Sequence, residues 1–190
     1  MWVYPLQKKS DAFAKLLHFL AYIKNQFGRD IKSFQRDHGG EFDNSSAHNF
    51  FASNGIQFRF SCPRTSQQNG KSERMLRSIN NIIRTLLFQA HIPPTFWVEA
   101  LHVATHLFNI LPSTSINNEI PFVRLFNKSP SYNHLRVFGC LCYAHLPSPH
   151  KLAPRSTPCV FLGYPINHRG YRCLDLSTRK IIPSCHVVCN

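Results

Sequence analysis

The sequence is short of acid. Nine Asp and Glu stand against 22 Lys and Arg in 190 residues, a formal charge of +13. That balance argues against a cationic partner and favours a polyanion. Long apolar runs are missing too. None approaches the roughly 18 residues that a membrane-spanning helix needs, so no membrane partner is expected. The opening "MWVYPLQKKSD" lacks the charged-then-apolar order of a secretory signal, and a nuclear or cytoplasmic location is expected rather than a secreted one. Seven cysteines are present, at 62, 140, 142, 159, 173, 185 and 189, but no C-x-x-C pair is among them. An odd count without that spacing suggests neither a disulfide framework nor a zinc ribbon. Five of the seven fall in apparent strands, where a reduced cysteine acts as a small buried hydrophobe. Internal repeats and low-complexity tracts are absent.

What remains is the composition of a folded chain: 43% hydrophobic, 13% aromatic and 16% charged. The positive excess is spread along it. Through residue 130 there are 15 basic and 8 acidic residues, and beyond it 7 and 1. Such an excess supports salt-dependent nucleic-acid binding through counterion release, although a basic surface with no ligand gives the same count.

The order of elements points to an α/β domain followed by an all-β one. "WVYPL" reads as a short strand interrupted by Pro5, at a sheet edge. Ser10 is placed to cap a helix from Asp11 to Phe27, whose apolar residues Phe13, Leu16, Leu17, Leu20 and Ile23 recur at helical spacing before Gly28. "IKSFQR" is a strand leading into Asp37, "SAHNFFASN" a helix and "IQFRFS" a strand, the β-α-β-α-β order of a sheet with parallel members. A polar loop, "RTSQQNG", precedes a long helix from about Lys71 to Ala90, and Pro93-Pro94 opens another from Thr95 to about Leu111. Composition shifts near "NKSPSYNH". Four or five short strands then follow in "RVFGCLCYAHL", "CVFLGY", "GYRCLDL" and "RKIIPSCHVV", the pattern of a small barrel. The expected domains are 1–130 and 131–190.

Reactive groups in an α/β sheet gather beyond the carboxyl ends of its strands. Asp37 stands there, with Gly39 and Gly40 behind it to let a backbone or ligand approach. Glu73 sits at the start of the long helix, sharing a face with Arg77, Asn80 and Arg84 at i+4, i+7 and i+11. Carboxylates among cations suit a hard divalent ion meeting a phosphodiester. The same residues also suit plainer roles, Asp37 in a turn and Glu73 at the favourable end of a helix dipole. Glu41 and Asp43 read as loop acids. His102 and His106 stand at i and i+4, but Val103 follows His102, so the zincin pattern H-E-x-x-H is absent and a packing role is favoured.

Thirty-five residues separate Asp37 from Glu73. With that spacing, "RDHGGEF" followed by "CPRTSQQNGKSER" resembles the D, D-x35-E motif in the integrase core of copia-type LTR retrotransposons. The resemblance continues through "IPPTFWVEALHVATHLFNILP" and "PFVRLFNKSPSYNHLRVFGCLCYAHLP". It then runs into "CVFLGYPINHRGYRCLDLSTRKIIPSCHV", which is similar to the SH3-like segment after that core. It implies an α/β, RNase H-like core lacking its first two strands, and then a small SH3-like β-barrel. It also implies that Asp37 and Glu73 are the second and third catalytic carboxylates of a site holding Mg²⁺ or Mn²⁺. Lys71, Arg74, Arg77 and Arg84 become candidates for DNA-backbone contacts, and Asn69 and Gly70 for a loop that carries Glu73 toward the metal. DNA and other integrase subunits are the implied partners.

Two departures qualify the match. His38 stands where Asn or Gly is usual, and the chain begins at the family's third strand. The first catalytic Asp and the amino-terminal zinc module are therefore expected to be missing, and Asp11, which opens a helix, does not replace that Asp. The chain is accordingly read as an integrase fragment, inactive as written. The alternatives are a metal-dependent DNA strand transferase if the missing part is supplied, and a non-catalytic DNA-binding module. An RNase H-type nuclease of other function explains the barrel poorly. The strand before Asp37 would lack its usual neighbour, so poor stability or aggregation in isolation is also expected.

Overall fold

The Phe-rich first third of the chain folds around stacked rings. A computed structural model describes residues 1–36, 42, 44–60, 66–146, 150–152, 154–165 and 169–189, without the side chains of 60, 66–69 and 71. Contacts divide the chain into two compact units, Tyr4–Leu76 and a second formed by Met1–Val3 with Arg77–Asn190.

In the first unit, α1 (Ala12–Phe27) follows a 3-10 turn at Lys9–Asp11. The turn displaces Ser10 from the expected capping position. Asp11 accepts from the Lys8 amide at 3.3 Å instead. Gly28 ends the helix at φ 61°, donating to the Lys24 carbonyl at 2.9 Å. Strand β1 (Ser33–Arg36), helix α2 (Ser45–Ser53) and strand β2 (Gln57–Phe60) make a right-length β-α-β crossover. The strands pair in parallel, Phe34 opposite Phe58. Asn44 caps α2, its side-chain oxygen accepting from the Ala47 amide at 2.8 Å. Phe51 stacks on Phe58 at 4.8 Å and on Phe34 at 5.4 Å, and Phe13 of α1 meets Phe51 edge-on at 6.5 Å. The Arg36 guanidinium lies 5.1 Å from the centre of the Phe58 ring.

Residues 2–6, expected as an edge strand, form no strand. Pro5 has no amide to donate to a ladder. The flanking residues are held by side chains: Asn109 donates to the Met1 carbonyl at 2.8 Å, and Tyr4 packs edge-on against Phe19 at 6.1 Å.

Helix α3 (Ser66–Gln89) runs through the boundary between the units. In the second unit its later turns join α4 (Trp97–Ile110) and α5 (Pro121–Phe126). Five strands follow: β3 (Leu141–His145), β4 (Ser156–Gly163), β5 (Tyr171–Asp175), β6 (Ile181–Ser184) and β7 (Val187–Cys189). They form an antiparallel sheet in the order β6-β5-β4-β3-β7. The helices bury Leu87, Ala100 and Val103 against Phe138 and Leu162. A second cluster inside the sheet joins Cys142, Ala144, Cys159, Phe161 and Cys173, none of them exposed. Both faces of β4 are therefore covered near its end, where a bulge between Phe161 and Gly163 shifts the register. Among the described residues four cysteines lie within strands, 142, 159, 173 and 189. Among the described residues, no helix is long and apolar enough to cross a membrane.

Candidate functional site

Strand β1 ends at Arg36, so Asp37 follows its carboxyl end in sequence, but Asp37 lies outside the described residues, as do His38, Gly39, Gly40, Glu41 and Asp43. Glu73 is exposed on α3. The helix starts at Ser66, several residues earlier than its sequence predicts, so Asn69 and Gly70 lie within its first turns and not in a loop. The polar run "SQQN" gives little apolar periodicity from which to read that start. Gly70 is not at positive φ, and its carbonyl accepts from Arg74 Nε at 2.9 Å. Arg74, Arg77 and Arg84 are all exposed along the same helix, and the side chains of Lys71 and Asn69 lie outside the described residues.

Among the described residues no group of three or more His, Cys, Asp or Glu side chains is placed to hold a metal. Glu73 alone does not make a site for Mg²⁺ or Mn²⁺, which takes several oxygen ligands. The described side chains thus do not complete that divalent-ion centre.

His102 and His106 have separate neighbours. The Nε2 atoms of His106 and His134 lie 3.2 Å apart, and both rings pack on Tyr164. Burial lowers the pKa of His106, and the neighbouring His134 lowers it further. His102 is lowered mainly by burial and then by Arg172, while Glu99 opposes the shift. Arg172 of β5 and Glu99 of α4 form an ion pair at 3.2 Å. Tyr164 accepts from the Arg136 amide at 3.1 Å, and burial raises its pKa. His106, His134 and Tyr164 join α4, the segment after α5 and the residue that follows β4 into one packed cluster. Sequence spacing gave no hint of it, because His106 and His134 are 28 residues apart.

Sulfur chemistry is muted in the sheet. Cys142 Sγ lies 3.8 Å from Cys173 Sγ, and the Cys142 thiol is pushed up by that hydrogen bond and by burial. Burial raises Cys140 to about 12 and Cys159 to about 11. Thiols held protonated are poor nucleophiles and poor metal ligands.

The chain is similar over nearly all of its length to proteins encoded by transposons. It is 42% identical over 188 residues, 98% of its own length, to the retrovirus-related Pol polyprotein from transposon RE1 of Arabidopsis thaliana. Identity is 39% over 190 residues to the polyprotein from transposon TNT 1-94 of Nicotiana tabacum, and 37% over 188 residues to that from transposon RE2 of Arabidopsis thaliana. It spans 13%, 14% and 13% of those polyproteins. Residues 140–190 match the retroviral polymerase SH3-like domain, the stretch that folds here as the five-stranded antiparallel sheet.

Proposed function

We propose, for a chain related along its length to retrotransposon Pol polyproteins and carrying a retroviral polymerase SH3-like domain, that it is the part of such a polyprotein that engages DNA for integration. In this reading residues 1–130 belong to an RNase H-like integrase core. Asp37 and Glu73 are two of its metal-binding carboxylates, and Lys71, Arg74, Arg77 and Arg84 hold the DNA backbone. The observation that carries the reading is the extent of the similarity. At 98–99% of the chain it takes in Asp37, Glu73 and the 35 residues between them, as well as the SH3-like segment.

The β-α-β order and parallel pairing of β1 with β2 are compatible with an RNase H-like core, and the exposed arginines of α3 suit phosphate contacts. When bound, Mg²⁺ or Mn²⁺ would activate water or a DNA 3′-hydroxyl and stabilise the leaving oxygen. The resemblance implies three carboxylates for a two-metal site and this reading assigns two, so strand transfer is assigned to the longer polyprotein and DNA engagement to this stretch.

The test is a Mn²⁺-dependent strand-transfer assay alongside duplex-DNA binding. The 190-residue chain is expected to bind duplex in a salt-sensitive way without joining strands. A version extended by the preceding polyprotein segment is expected to join them and to lose that activity on Glu73→Gln. Joining by the short chain, abolished by Glu73→Gln, would make it an enzyme in its own right. Duplex binding unaffected by Arg77→Glu and Arg84→Glu would remove α3 from the interface.

A further inference from the structure

Two imidazoles from distant parts of the chain converge within the second unit. The Nε2 atoms of His106, on α4, and His134, after α5, stand 3.2 Å apart. Two nitrogens bound to one tetrahedral Zn²⁺, each about 2.0–2.1 Å from it, stand about 3.3 Å from each other. The pair therefore already has the spacing of two ligands on a single ion. In the metal-free pair that spacing is a hydrogen bond, one Nε2–H donating to the other Nε2. Passing to metal needs no net loss of a proton. The donor ring takes its Nδ1–H tautomer, and both Nε2 lone pairs are then free for the ion.

The segment that carries His134 is pinned on both sides. Tyr132 Oη donates to the Ile110 carbonyl at the end of α4 at 3.0 Å, and the Arg136 amide donates to Tyr164 Oη at 3.1 Å. The Tyr164 ring packs on both imidazoles, its centre 4.9 Å from that of His106 and 5.3 Å from that of His134. Ligands locked in this way by packing and hydrogen bonds are ordered before an ion arrives. Both histidines are half-buried, so an ion and its waters reach them from solvent. Burial and His134 also hold the His106 pKa below its ordinary value, which favours the neutral ring that a metal takes.

We propose that His106 and His134 form a two-imidazole site for Zn²⁺, with water completing the coordination, which fastens α4 to the segment after α5. Imidazole suits Zn²⁺, whereas Mg²⁺ and Mn²⁺ take oxygen ligands. The site thus differs in chemistry and in residues from the carboxylates of the integration reading, and does not depend on it. Its ligands are 28 residues apart in sequence and meet only in the folded chain, so Zn²⁺ binds that state and stabilises it.

The experiment titrates zinc chloride into the 190-residue chain, previously stripped of metal by a chelator, and follows calorimetry and thermal melts. One Zn²⁺ per chain is expected. At about a hundredfold the half-saturating concentration it is expected to raise the melting temperature by about 5–10 °C. His106→Gln and His134→Gln are each expected to weaken binding by about tenfold or more, since loss of a group that merely supports a ligand already costs that much. His102→Gln removes a neighbouring imidazole and Cys185→Ser the exposed thiol, and both are expected to bind as wild type does. Magnesium chloride is expected to give no shift. Imidazole ¹⁵N spectra of the wild-type chain give a reading that needs no variant to fold: the Nε2 signals of His106 and His134 are expected to move together on adding one Zn²⁺.

Absence of Zn²⁺ binding by the wild-type chain would overturn the proposal. So would binding unaffected by either Gln substitution at 106 or 134, Nε2 signals that stay in place, or an equal response to Mg²⁺. Loss of binding only in His102→Gln or Cys185→Ser would also overturn it, by placing the ion elsewhere.

Discussion

Asp175 illustrates how a charged residue can be satisfied within its own turn. Its Oδ1 accepts from the Ser177 hydroxyl at 2.7 Å and the Ser177 amide at 2.8 Å, and its Oδ2 accepts from Thr178 Oγ1 at 2.9 Å. These bonds, the Ser177 hydroxyl first, lower its pKa from 3.8 to about 2. A depressed carboxylate stabilises the fold at pH above its unfolded value, and that contribution disappears as pH falls through about 2. Asp175→Asn is therefore expected to melt below wild type at pH 7, the gap closing as pH approaches 2 in a series of circular-dichroism melts. His106 works on a different window. Burial lowers its pKa, so the unfolded chain takes up protons more readily, and stability present above about pH 6.5 is lost as pH falls through the lower folded value. His106→Phe, which removes that proton uptake, is expected to flatten the decline in melting temperature between about pH 7 and 5 without abolishing it, because His102 is lowered too. At this scale the sequence was partly legible. Asp37 and Glu73 could be singled out because their spacing and neighbours are local text. The alternation in "LCYAH" likewise places Tyr143 and His145 on one face of β3. The His106–His134–Tyr164 cluster could not be read, because only the folded path of the chain brings those three residues together.

The elements were more legible than their ends. Helices α1, α2 and α4 follow apolar residues at helical spacing, and the strands of the sheet follow turn residues and alternation. The start of α3 was missed because polar residues carry no such period, and residues 2–6 because a strand needs a neighbouring ladder as well as β-forming side chains. Close packing between elements is also invisible in sequence. Gly139, at φ 83°, is so near α3's end that an added Cβ would come within 2.2 Å of Ala90 Cβ. Gly163, at φ 132°, leaves 2.8 Å between such a Cβ and Val103 Cγ2 of α4. Gly139→Ala and Gly163→Ala are each expected to cost about 1–3 kcal/mol in denaturant unfolding, from overpacking together with a backbone conformation unfavourable to L side chains. The two sites differ in how far they can be relieved. Adding Val103→Ala to Gly163→Ala removes the clash, and a double-mutant cycle is expected to show coupling of about 0.5 kcal/mol or more. No coupling would place the whole cost of Gly163→Ala in its backbone.

The two compact units are unequal in core. Among the described residues of Tyr4–Leu76, only Arg36, Ala47 and Phe51 are buried, and α1 buries none. Its sheet has two parallel strands, an arrangement of little independent stability. The unit built on Arg77–Asn190 has two buried clusters and a five-stranded sheet. Amide hydrogen exchange is expected to be fast in α1, β1 and β2 and slow in β3, β4 and β5, the first group opening well before the second in denaturant. Uniform protection across both units would contradict that ranking. The cysteine-lined interior of the sheet then has a practical meaning. Cys142, Cys159 and Cys173 are sealed, whereas Cys185 is exposed. An alkylating reagent meets the Cys185 thiol at once and those three only when the strands part. The molecule thus carries its own clock for the opening of its sturdier half, with a built-in zero of time.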